Sequence, residues 1–146
     1  MAMPKAAIST IIIVVAIMGI ASTMSALVAN RMISNTGSIT AVGVVIYSNS
    51  ACTTTLSSIP WGAISPGSGL TYTIYVENTG TAQETLSMTT GNWNPATASS
   101  YITLTWNQGG AVLPAGSMVA AVLTLTVSSS ITGITDFSFN TTITGT

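Results

Sequence analysis

The sequence predicts a mostly β protein, with one long N-terminal α-helix followed by an antiparallel β-sandwich of about seven strands. Three observations predict it. Residues 6–30 carry no charged side chain and form an apolar run bracketed by Lys5 and Arg31, the only two basic residues in the chain. From about residue 38 onward, apolar positions recur with a period of two in segments rich in Val, Ile, Thr and Tyr. Clusters of Gly, Pro and Asn punctuate those segments at short intervals.

Residues 1–6 read as a leader or n-region with one lysine. Residues 7–30 read as the apolar helix. At ~1.5 Å per residue the uncharged run spans roughly 37 Å, enough to cross a hydrocarbon core of about 30 Å with some tilt. Secretory h-regions are shorter, and no small-x-small cleavage pattern closes this one: Leu27 precedes Ala29, and Met24 precedes Ala26. Small residues recur at Gly19, Ala21, Ser22, Ser25, Ala26 and Ala29, as in helices that approach one another closely in an apolar medium. Ile11, Val15, Gly19, Ser22 and Ala26 are the candidate self-association stripe. Residues 31–37 read as a hinge, in which Asn35-Thr36-Gly37 is a turn or helix-stop signal.

Residues 38–146 read as the β domain. Strands are predicted over 38–47, 52–59, 70–77, 83–90, 101–107, 118–128 and 135–144. Between them lie Ser65-Pro66-Gly67, Asn78-Thr79-Gly80, Asn92–Pro95, Gln108-Gly109-Gly110, Pro114-Ala115-Gly116 and Thr132-Gly133. Seven short strands with such turns read as an Ig-like sandwich. The predicted core comprises Tyr72, Ile74, Val76, Leu86, Met88, Ile102, Leu104, Leu123, Leu125, Val127, Phe137 and Phe139, with either Ile39 or Val42. Trp61, Trp93 and Trp106 read as core or loop anchors, or as surface recognition residues.

Composition bounds the chemistry. Charged residues are 3% of 146, whereas soluble domains carry about 25%. Hydroxyls take their place, with 19 serines and 25 threonines. Such a surface neither titrates near neutrality nor responds to salt. A net charge of −1 gives almost no self-repulsion, which favours association. Nucleic acid is not expected as a partner, because nothing beyond Lys5 and Arg31 neutralises phosphate. No enzyme and no cofactor is expected. There is no histidine, and the single lysine precedes the apolar run. Glu77 and Glu84 flank the Asn78–Thr81 turn as solvated acids, or as part of a calcium site with loop carbonyls. Cys52, the one cysteine, reads as a half-buried strand residue, or as an intersubunit or reactive thiol. Asn140-Thr141-Thr142 is the only N-glycosylation sequon. The first and last predicted strands carry one charge between them, Asp136, so their edges either invite pairing with another chain or are covered within the fold.

Lys5-Ala6 followed by Ala7-Ile8-Ser9-Thr10 and the apolar run resembles the class III signal of archaeal type IV pilins and archaellum subunits. The resemblance implies processing at Lys5, Ala6 and Ala7, with cleavage after Ala6, a retained helix forming a fibre core, and an Ig-like domain outside. The chain departs from that pattern in having one basic residue in its n-region and no glutamate early in the run. Trp61–Gly67 (WGAISPG) followed by TYTIYVENTG (71–80) is similar to TasA- and camelysin-type fibre subunits. That resemblance implies a removed signal peptide and a strand, Ser38–Tyr47, donated to the next subunit. The expected function is therefore a non-enzymatic subunit of an extracellular, type IV pilin-like surface filament. The alternatives are the strand-donating fibre and a membrane-anchored surface or adhesion domain. Expected partners are copies of itself, the membrane during biogenesis, and other surface proteins or glycans.

Overall fold

The computed structural model describes residues 33–146. The expected helix over 7–30, the candidate processing residues Lys5, Ala6 and Ala7, and the self-association stripe Ile11, Val15, Gly19, Ser22 and Ala26 lie outside the described residues. Among the described residues there are nine strands: β1 Ile33–Val42, β2 Val45–Tyr47, β3 Ser58–Ile64, β4 Gly69–Glu77, β5 Glu84–Asn94, β6 Ile102–Trp106, β7 Val112–Leu113, β8 Met118–Val127 and β9 Asp136–Gly145. One short 3-10 helix, Ala96–Ser100, joins β5 to β6.

The strands form two sheets in the orders β3-β1-β9-β5-β7 and β2-β4-β8-β6. Odd-numbered strands make one sheet and even-numbered strands the other. Every connection therefore crosses the sandwich, and no two consecutive strands are neighbours. This arrangement corrects the expected fold class in three respects. An Ig-like sandwich contains hairpins between sequential strands, and none occurs here. The sheets are not wholly antiparallel, because β1 runs parallel to β9. Among the described residues the longest helical segment is the five-residue 3-10 turn, so the fold described is β without a long helix.

The reasons for the strand-level differences are local. The continuous apolar pattern SITAVGVVIY splits at Gly43, whose φ of +78° breaks the extended backbone and sends the chain to the other sheet. A β-carbon there would lie 2.6 Å from the Gly145 carbonyl oxygen, so only glycine fits. The segment CTTTLSSI is mostly a loop. Asn49 Oδ1 accepts from the amides of Thr53 (3.2 Å) and Thr54 (3.0 Å), and Cys52 takes a φ of +51°. Of the expected strand 52–59, a single bridge, Tyr47↔Thr55, and the last two residues, which open the next strand, remain extended. The next strand is instead Ser58–Ile64, which buries Ile59, Trp61 and Ile64. Ser65-Pro66-Gly67 closes as expected: the Ser68 amide donates to the Ser65 carbonyl, and Gly67 takes a φ of +76°.

The core lies between the sheets. Phe139, Ile33, Ile74, Leu86, Leu123, Leu125 and Ile143 are its largest fully buried side chains. Of the two alternatives, Ile39 is inside and Val42 is 52% exposed. Trp93 stacks on Phe139 with centroids 4.3 Å apart, and Trp61 meets Tyr72 edge-on at 6.1 Å. Asn78 is completely buried between β4 and β5. Its Nδ2 donates to the carbonyls of Ala82 (2.7 Å) and Leu113 (3.0 Å), and its Oδ1 accepts from the Gly80 amide (2.9 Å). One asparagine thereby serves two backbone groups of its own turn and one on β7.

Candidate functional site

The unusual geometry is the seat of β1. This is the first strand of the described chain, and it lies inside a sheet instead of at its rim. It pairs in parallel with β9 over nine consecutive positions, Ser34↔Asp136 to Val42↔Thr144. On its other side it pairs antiparallel with β3, which has no other partner in the sheet. The first and last described strands are therefore not open edges; they cover one another, which is the second explanation of their lack of charge.

Alternation sends five side-chain positions of β1 inward: Ile33, Asn35, Gly37, Ile39 and Ala41. Ile33 and Ile39 are 1% and 5% exposed. Thr36, Ser38, Thr40 and Val42 face outward. The groove floor is shaped for this row. Trp61 lies across Gly37, where an added β-carbon would stand 3.0 Å from the indole Nε1 and 3.6 Å from Phe139. Asn35 Nδ2 donates to the Gly62 carbonyl at 2.8 Å. Gly62, with φ +71°, makes a bulge in which Pro60 and Trp61 together oppose Thr36. Asn35 Oδ1 and Trp61 Nε1 are buried in the groove without a hydrogen-bond partner. On the outer face, Ser38 Oγ donates to Asn140 Oδ1. Only Gly43 and Val44 link β1 to β2 in the opposite sheet.

The row Ile33, Asn35, Gly37, Ile39, Ala41 alternates with a period of two. The turn signal in Asn35-Thr36-Gly37 concealed it, so the strand starts at Ile33, inside the segment read as a hinge. The expected strand Ser38–Tyr47 is instead two strands, β1 Ile33–Val42 and β2 Val45–Tyr47. Trp61 was noted as an anchor, but its place over Gly37 follows only from strand pairing.

The remaining candidates are dispersed. Glu77 ends β4 in one sheet and Glu84 begins β5 in the other. Among the described residues no group of three His, Cys, Asp or Glu is arranged to hold a metal. The Glu84 carboxylate packs against the backbone of Gly145, and its Oε2 is buried without a partner. Cys52 sits on the 49–55 loop, where burial first and the Glu77 charge second push its thiol pKa up, away from the reactive thiolate. Asn140 is exposed on the outer face of β9. An open cleft of about 380 Å³ lies beside β1 and β9, lined by Asn35, Thr36, Asn94, Asp136, Phe137 and Ser138.

No protein-family model matches the chain, and no curated protein is similar to it.

Proposed function

We propose that this chain is a non-enzymatic structural subunit of an extracellular surface filament, and that copies join by exchange of β1. The observation that carries this reading is the seat of β1: the first described strand, inserted between β3 and β9, parallel to its main neighbour, with a two-residue link to β2. A strand held this way makes the same contacts whether it comes from its own chain or from another copy. Exchange therefore costs little at equilibrium, and short links favour it. Vacating the groove would strip β3 of its only sheet partner and expose the seats of Ile33 and Ile39, so a copy with an empty groove is driven to accept a strand. Near-zero net charge and a hydroxyl coat remove electrostatic opposition to close packing.

The test uses register partners. In a Cys52→Ser background, one full-length variant carries Thr40→Cys and a second carries Thr142→Cys, positions that pair across β1 and β9. Co-assembly and mild oxidation should give disulfide-linked heterodimers. If assemblies form without that link, while a Thr40→Cys/Thr142→Cys double variant closes within one chain, β1 stays at home and the reading fails.

The type IV pilin-like reading is favoured by the uncharged segment between Lys5 and Arg31. In surface material it expects a chain beginning at Ala7 with that segment retained, whereas strand exchange requires only that Ile33–Val42 be present. N-terminal sequencing of shaved filaments separates the two.

A further inference from the structure

We propose that Asn140 is an attachment site for an N-linked glycan, standing on the outer face of the β3-β1-β9-β5-β7 sheet. Four features of the structure meet there. Asn140 is exposed, although it lies in a strand paired on both sides. Its Oδ1 is engaged by Ser38 Oγ, and among the described residues no hydrogen bond uses its Nδ2, the atom that carries the sugar. Its neighbour on β5 is Gly91, around which a β-carbon would meet nothing within 4 Å, so no side chain covers that flank. Immediately beyond Gly91 the β5–β9 register shifts, with Asn92 at φ +51°, and β5 rejoins β9 at Asn94↔Ser138.

Two residues before Asn140 on the same face of β9, Ser138 lines a polar cleft with Asn94 and Asp136, whose hydroxyl, amide and carboxylate suit the hydroxyls of a sugar. Thr142 supplies the hydroxyl that the sequon requires, two residues on and on the same face. The co-reactant is a sugar carried on a lipid phosphate or pyrophosphate. The bond from Nδ2 to the anomeric carbon forms and the anomeric carbon–phosphate oxygen bond breaks. The lipid phosphate leaves with that electron pair, and Nδ2 gives up one proton to a base of the transferase. Transfer precedes docking of β9, because the acceptor strand must be free of its neighbours. The finished glycan stands over β9 and β5 and bars another copy from stacking on this face.

The inference rests on the extracytoplasmic placement in the proposed function, so the test imposes that placement. The full chain, carried into a eukaryotic secretory host behind a cleavable signal, should gain a glycan that peptide N-glycosidase removes, converting Asn140 to Asp in the peptide mass spectrum. Asn140→Gln and Thr142→Val should each lose at least nine-tenths of the modification, and Thr142→Ser should retain it. Secreted protein with unmodified Asn140 would overturn the proposal, whatever the strand cross-linking shows. A glycosylated Asn140 alongside failed cross-linking would overturn only the filament reading.

Discussion

Gly37 lies directly beneath the indole of Trp61, so close that a single added carbon would stand 3.0 Å from Nε1. Trp61 has little freedom to yield, because it is 6% exposed and meets Tyr72 edge-on. The pair fixes the register of β1. A two-residue slip would bring Asn35 or Ile39 under the indole, and a one-residue slip would turn every inward side chain to solvent.

Gly37→Ala should therefore lower stability, by about 1–3 kcal/mol from overpacking, even though alanine is otherwise the better strand residue. Gly91→Ala is the control: its surroundings are open, and it should raise stability by about 0.5–1 kcal/mol. Urea midpoints at constant m-value give both numbers. Combining Gly37→Ala with Trp61→Phe should cost less than the two single changes added together. Strict additivity would mean that the two residues do not constrain one another.

Gly145 and Glu84 form a second close pair. A β-carbon at Gly145 would land on Glu84 Oε2 and stand 2.9 Å from Val44 Cγ1. Gly145→Ala should cost about 1–3 kcal/mol, and Glu84→Ala should recover part of that loss by clearing the carboxylate. A thermal-melt series of the four proteins measures the coupling.

Asn78→Ala should be among the most damaging single substitutions, at about 2–4 kcal/mol, because it strands the Ala82 and Leu113 carbonyls and the Gly80 amide. Asn78→Asp should be worse above pH 5. It replaces the donor with an acceptor facing two carbonyls and buries a charge beside which no described residue places a cation. Denaturant titrations at pH 4 and pH 7 distinguish the two variants.

Tyr47 should titrate late. Its hydrogen bond with Glu77 is the main cause, followed by burial and by the negative charge of Glu77 and the Cys52 thiolate; all favour the neutral phenol and raise the pKa. A raised value in the folded state means that this contribution to stability is present below the unfolded pKa, near 10, and is lost as pH rises through the folded value. Phenolate absorbance should show a tyrosine lagging, and Glu77→Gln should reduce the lag, leaving the part due to burial and Cys52. Between roughly pH 6 and 8, stability should be flat, since the chain has no histidine.

Much of the β domain was legible because period-two burial is written locally. Ile102/Leu104, Leu123/Leu125/Val127 and Phe137/Phe139 were expected inside and are inside. The errors fall where side-chain or glycine chemistry overrides the pattern. Asn49 turns CTTTLSSI into a loop, and Gly43 cuts one expected strand into β1 and β2. Asn35-Thr36-Gly37 looked like a turn because each of its residues favours one, yet pairing with β9 and β3 holds it extended. The groove itself had no local signature.

By itself the sequence determined the β class, most of the core and the chemical poverty of the surface. Those properties depend on which residues alternate and which side chains are missing. Only the tertiary structure decided that every connection crosses between sheets, that β1 lies parallel to β9, and that Trp61 closes over Gly37. Each of these joins residues far apart in the chain, and an alternating pattern says which face a strand buries but not which strand lies beside it.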